Sequence, residues 1–169
     1  MESQVKQNQE FIMQINYRSA NLRDFIEIAR LDRICWNDAE FPEYMPDGDH
    51  VWRLWVEYAV VECAFDGDVM IGANVSFPTN QDRLYFNHKL FVHEEYRGLG
   101  IAKQLLMNRL KRTDELGVAT MYTTSKKNKT MQHIGEKLGY KKVDFIEGYY
   151  RPEEDRYLLR REAGNLHKE

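Results

Sequence analysis

The segment Leu90-Phe91-Val92-His93-Glu94-Glu95-Tyr96-Arg97-Gly98-Leu99-Gly100-Ile101-Ala102-Lys103-Gln104-Leu105-Leu106 sets an apolar strand, a short turn and an amphipathic helix in immediate succession. The first N–H groups of a helix lack partners within it and lie at the positive end of its dipole, so a phosphate placed there gains hydrogen bonds and favourable electrostatics. Gly98 and Gly100 let the backbone approach such a group with no Cβ in the way. A helix that only needs a tight turn at its start would show the same glycine pair. Two nucleotide readings fail on residues. A dinucleotide fingerprint needs a third glycine where Lys103 stands, and a P-loop needs Gly-Lys-Ser/Thr, which this segment lacks.

Further groups could do chemistry. His88 lies in the apolar run Leu84 to Val92 between Asn87 and Lys89. Its ordinary pKa near neutrality suits proton abstraction, while a histidine satisfied by a hydrogen bond on a sheet face would look the same. Asp38, Glu40, Glu43, Asp47 and Asp49 crowd residues 37 to 49, accompanied by Trp36, Phe41, Tyr44, Trp52 and Trp55. Carboxylates beside π-faces attract a cationic amine, and a solvated acidic loop is the competing meaning. Lys126, Lys127 and Lys129 could meet a phosphate as flexible point charges or stay solvated. Cys35 and Cys63 lie far apart with no CxxC or Cys/His spacing, so neither a metal site nor a disulfide framework is expected.

These groups need elements to position them. Phe11 to Tyr17 reads as a strand and Leu22 to Ile34 as a helix, with Phe25, Ile28, Ala29 and Leu31 at near-helical spacing. A second helix is expected over Asp49 to Tyr58. Strands over Tyr58 to Phe65 and Val69 to Phe77 flank the turn Asp66-Gly67-Asp68, and the alternation of Val69, Ile71, Ala73, Val75 and Phe77 predicts one buried face. Leu84 to Val92 continues the meander. The helix opening after Gly100 presents Ile101, Ala102, Leu105, Leu106 and Leu110 on one face and stops at Gly117. A strand over Val118 to Thr124, a helix over Asn128 to Leu138 and strands over Lys141 to Tyr150 and Arg156 to Arg161 complete the order β-α-α-β-β-β-α-β-α-β-β.

With 169 residues and no linker-like tract, residues 1–169 are expected to form a single domain with polar, frayed ends at 1–10 and 162–169. A net charge of -3 argues against a general nucleic-acid binder. The polar start from Met1 to Glu10 carries neither a signal peptide nor a membrane anchor, so a soluble, cytoplasmic protein is expected.

Arg97-x-x-Gly100-x-Ala102, preceded by Leu90-Phe91-Val92, resembles the Arg/Gln-x-x-Gly-x-Gly/Ala signature of the GNAT family of acetyl-CoA-dependent N-acetyltransferases. A second family pattern, an asparagine opening a helix that ends in Gly-Phe, looks like Asn128 through Gly139-Tyr140. By motif and element order the resemblance covers roughly residues 12 to 161. It implies an α/β (α+β) fold with a mixed, mainly antiparallel sheet of six to seven strands flanked by about four helices. It also implies acetyl-CoA as cosubstrate. The pyrophosphate would sit on backbone N–H groups of Arg97, Gly98, Leu99, Gly100, Ile101 and Ala102. Pantetheine would run beside Leu90, Phe91 and Val92, with Asn128 touching the cofactor, capping its helix, or both.

Acetyl transfer needs a neutral amine, a polarised carbonyl and a proton for the departing thiolate. His88 stands where the resemblance puts a base, and a backbone N–H near Phe91 or Val92 would polarise the carbonyl. The family's tyrosine acid, four residues before the helix-ending glycine, is replaced by Gly135. Tyr149, Tyr150 or a water are the substitutes. The resemblance thus implies an N-acetyltransferase that acts on a small-molecule or peptide amine by direct attack in a ternary complex. A CoA-binding sensor or interaction module is the alternative that Gly135 keeps open, and a longer acyl chain is a third. Edge strands offer a route to a homodimer.

Overall fold

The computed structural model describes residues 13–36 and 46–164. In chain order these form β1 (Ile15–Ser19), α1 (Phe25–Cys35), α2 (Asp49–Tyr58), β2 (Val60–Asp66), β3 (Val69–Pro78) and β4 (Leu84–Val92). A single 3-10 turn (Glu94–Tyr96), α3 (Ile101–Glu115), β5 (Ala119–Ser125), α4 (Lys129–Lys137), β6 (Lys141–Ile146) and β7 (Arg156–Arg161) follow. The element order is the one expected. Among the described residues the strands form one seven-stranded sheet in the order β1-β2-β3-β4-β5-β7-β6. Neighbours pair antiparallel throughout except β4 and β5, which the α3 crossover makes parallel.

Local chemistry sets the turns. Gly67 takes a φ of 57° in the β2–β3 hairpin and Gly117 a φ of 65° just past α3, conformations that would strain an L side chain. Helix α1 starts three residues later than its apolar pattern suggests. The Asp24 carboxylate before it is held by Arg18 at 2.7 and 2.9 Å and by the Asn21 N–H at 2.7 Å, which fixes 21–24 as a turn. Strand β1 begins at Ile15, and residues 11 and 12 lie outside the described residues. Strand β6 stops at Ile146 instead of reaching Tyr150. Gly148 turns the chain at a φ of 56°, and the Tyr149 N–H donates to the Glu154 carbonyl at 2.9 Å.

The expected one-faced alternation of β3 is also corrected. Phe65 pairs with Met70 and Ala64 with Gly72, so Ile71 is an extra residue in the ladder, a β-bulge. Ile71 packs with Val92, Ile101 and Leu105 beneath α3, whereas Ala73 and Val75 join Ile28, Leu31 and Trp52 beneath α1 and α2. Residues Met70 to Ser76 are all buried, because helices cover both faces of the sheet. Two cores therefore lie back to back, and β4 is the wall between them.

Candidate active site

Strands β4 and β5 pair only from Leu84 to Phe86 against Ala119 to Met121. Beyond that point they part, and a cleft of about 640 Å³ opens between them under α3 and α4. Leu90, Leu106, Arg109, Tyr122 and Gly135 line it, and His88 and Lys89 reach it from β4.

A second bulge orients those two side chains. Val75 pairs with Lys89 and Ser76 with Asn87, which leaves His88 as the extra residue of β4. Asn87 consequently serves the α3/α4 side, where its amide donates to the Tyr140 hydroxyl at 2.7 Å. His88 and Lys89 both find partners on the α1/α2 side. His88 Nε2 lies 3.0 Å from Asp47 Oδ2, and the ring packs against Trp55 and Phe77 with centroids 5.0 and 5.8 Å away. Lys89 Nζ lies 2.9 Å from both Asp32 oxygens and 2.7 Å from Asp47 Oδ2. Trp52 Nε1 and the Asp47 N–H donate to Asp32 at 3.0 and 2.8 Å.

Burial pushes the Asp47 carboxyl upward, but the hydrogen bonds from His88 and Lys89 together outweigh it and hold the group below the ordinary aspartate range. Asp47 is thus a carboxylate at neutral pH and can only accept. His88 Nε2 must then carry the hydrogen, which leaves the lone pair of the neutral ring on Nδ1. An imidazole held in one tautomer by a carboxylate is equipped to take a proton. Asp49, grouped with Asp47 by sequence, is instead paired with Arg33 at 2.9 Å. Asp38, Glu40, Phe41, Glu43 and Tyr44 lie outside the described residues.

The glycine turn sits past the open end of β4. Gly98 and Gly100 have φ of 78° and 80°, and a Cβ on either would meet nothing within 4 Å. Backbone conformation, not crowding, is what demands glycine here. Arg97 Nε donates to the Val92 carbonyl at 3.2 Å and ties the turn to β4, while buried Ile101 anchors the first turn of α3. Among the described residues no side chain caps α3, so Leu99, Ala102 and their neighbours surround a helix start whose N–H groups are not consumed by a cap. Leu90 lines the cleft, Phe91 faces the other way onto Trp52 at a centroid distance of 5.9 Å, and Val92 packs beneath α3. Asn128 caps α4 by accepting the Met131 N–H at 3.0 Å and also lines the cleft.

Tyr149 and Tyr150 are placed differently from expectation. They sit in the loop after β6, stack edge-on at 4.6 Å beside Arg156, and are not among the residues lining the cleft. At Gly135 the structure explains the missing side chain. A Cβ there would fall 1.9 Å from the Tyr122 hydroxyl, which donates to the Met131 carbonyl at 3.0 Å. A tyrosine from β5 thus fills the space beside α4. Burial, then the nearby Tyr140 hydroxyl, pushes the Tyr122 hydroxyl pKa upward. Burial pushes the Cys35 thiol up to about 11 and raises that of Cys63 as well, so neither is a ready nucleophile at neutral pH.

Asp32, Arg109 and Tyr122 escaped the sequence reading. The first two carried a legible signal. Asp32 falls four residues after Ile28 and Arg109 four after Leu105, each a charge on the apolar stripe of its helix. Tyr122 carried none, because an aromatic in a strand is ordinary core material. Among the described residues no cluster of three or more His, Cys, Asp or Glu could hold a metal ion, and no helix is long and apolar enough to cross a membrane.

The fold as a whole superposes on solved acetyltransferase structures. The chain superposes on yncA from Salmonella typhimurium, solved with its cofactor acetyl-CoA, with a TM-score of 0.71 at 14% identity over 92% of this chain and 95% of that one. The NatC complex bound to Gag peptide and CoA gives 0.72 at 23% identity over 89% and 99%. NAA60 of Arabidopsis thaliana, in complex with a bisubstrate analogue, gives 0.71 at 17% over 90% and 99%. At these identities the likeness concerns the fold. No curated protein matches the sequence. The acetyltransferase (GNAT) family model matches residues 22–140, more than half of the chain, so the chain belongs to that family and is an acetyltransferase.

Proposed function

We propose that this protein moves an acetyl group from acetyl-CoA to the amine of a small molecule or peptide by direct attack in a ternary complex. The observation that carries the reading is the parting of β4 from β5 with His88 on its wall. The pyrophosphate lies on the N–H groups of the Arg97 to Ala102 turn, and pantetheine follows Leu90 into the cleft. The N–H and C=O groups of β4 that β5 leaves unpaired can hold pantetheine amides and polarise the thioester. The acceptor approaches from the α1/α2 side, where His88 Nδ1 removes its proton and Asp47 holds the ring. We further propose that the enzyme is cytoplasmic and forms a homodimer joined through edge strands.

A CoA-binding module with little turnover is the second reading, favoured by the Tyr122 hydroxyl filling the space beside Gly135. One experiment separates the two. Acetyl-CoA is titrated calorimetrically against the protein, with ATP and NADH as controls, and free thiol is then followed over a panel of amines. The enzyme reading expects selective binding and amine-dependent thiol release. His88→Ala should lower the rate by roughly 10²-fold and flatten its dependence on pH near neutrality. Binding with no release above the blank establishes the module instead.

A further inference from the structure

Arg109 projects from the third turn of α3 onto the cleft and is 4% exposed. Among the described residues its guanidinium has no hydrogen-bond or ion-pair partner, and its Nε is buried without an acceptor. Its charge acts on the Tyr122 and Tyr140 hydroxyls, both of which also line the cleft. A guanidinium does not deprotonate at accessible pH, so burial cannot be relieved by losing the charge. A buried cation without a counter-ion is costly, and two other buried cations are paired: Lys89 with Asp32 and Asp47, and Arg161 with Asp114 at 2.7 Å. The α3 wall of the cleft therefore carries a buried guanidinium that no carboxylate among the described residues pairs with.

The reaction makes one anion, the CoA thiolate, and the side chain that the family resemblance assigns to protonating it is missing at Gly135. Resting on the acetyl-CoA reading above, we infer that Arg109 is a catalytic residue that receives the departing sulfur as a thiolate, so that no side-chain acid is required. The amine lone pair forms the N–C bond, and the C–S bond breaks with its electrons passing to sulfur. The proton shed by nitrogen goes to His88 Nδ1 and then to solvent. CoA leaves the carbonyl as a thiolate paired with Arg109 and is protonated by solvent on release. Fixed charge aimed at developing charge in a dry site is worth far more than the same pair in water.

The test reads the bound product. CoA is titrated calorimetrically into wild type, Arg109→Met and Arg109→Lys, and the ultraviolet absorbance of the thiolate is followed from about pH 6 to 10, the range spanning ordinary thiol ionisation. The inference expects all three to bind CoA. The bound thiol should ionise at least one pH unit below free CoA in wild type, return to the free value in Arg109→Met and fall between in Arg109→Lys. The kcat of Arg109→Met should drop roughly 10²-fold with little change in the KM for acetyl-CoA. If the bound thiol titrates alike in wild type and Arg109→Met, the inference is overturned. A wild-type preference for an acyl-CoA with a terminal carboxylate, lost in Arg109→Met, would also overturn it by assigning the cation to the acyl chain. Wild type that fails to bind CoA removes the acetyl-CoA reading itself.

Discussion

The two faces of the split sheet treat charge in opposite ways. On the α1/α2 face, Asp32, Lys89, Asp47 and His88 form a chain in which each group holds the next, closed at its buried end by Trp52. On the α3/α4 face Arg109 lies buried near two phenol hydroxyls, and among the described residues no carboxylate pairs with its guanidinium. Both groups sit on apolar stripes, so hydrophobic patterning did not select one arrangement over the other. What differs is what each must meet. The first face meets a proton and needs a base of fixed tautomer. The second meets an electron pair and gains from a charge left unpaired until the bond breaks.

The largest effect should come from cutting the paired side. Asp32→Ala leaves the Lys89 ammonium, 3% exposed at its side chain, without one of its two carboxylate partners and Trp52 without its acceptor. Removing one partner of such a pair costs about 3–5 kcal/mol. Urea unfolding at neutral pH would measure it, and the double variant Asp32→Leu with Lys89→Met should recover most of the loss. A cost under about 1 kcal/mol for Asp32→Ala would mean that solvent reaches the pair and that the contrast between the faces is weaker than drawn.

The unpaired side should respond with the opposite sign. Arg109→Met removes a buried charge that no carboxylate among the described residues pairs with and replaces it with apolar volume of similar length. The free protein should gain about 1 kcal/mol or more in the same urea titration, while losing turnover as argued above. A loss of stability instead would show that Arg109 is structurally satisfied, and its guanidinium would lose its claim to a waiting anion.

How much of this was legible in the sequence follows from the same contrast. Element order and the glycine turn were readable, because hydrophobic period and positive-φ glycines are local properties. His88 could be picked out by type, but its tautomer could not, since Asp47 lies 41 residues away in sequence and reaches it only through tertiary packing. The two bulges at Ile71 and His88 were invisible for a related reason. Each is a mismatch between two strands and leaves no mark in either strand alone. Tyr149 and Tyr150 have the residue type that strands favour, whereas β6 ends at Ile146 and Gly148 turns the chain before them. Gly135 is a missing side chain in the sequence alone, because Tyr122, which fills its place, comes from another element.

The smallest effect, and the one that isolates the His88 anchor, is the response to acid. The folded Asp47 carboxyl lies below its unfolded value of about 3.9, burial being outweighed by its hydrogen bonds to His88 and Lys89. In the window between the two values the unfolded chain binds more protons, so stability falls as pH falls. The contribution is fully present above pH of about 4 and disappears as the pH drops through the folded value. Asp47→Asn should therefore be less stable than wild type at neutral pH and should lose less stability on acidification below about pH 4, as read from urea midpoints across that range. Arg109→Met should keep the wild-type acid slope, because a guanidinium holds its proton in both states. An unchanged slope in Asp47→Asn would mean that this carboxylate is as solvated folded as unfolded, and His88 would then lack the fixed partner that selects its tautomer.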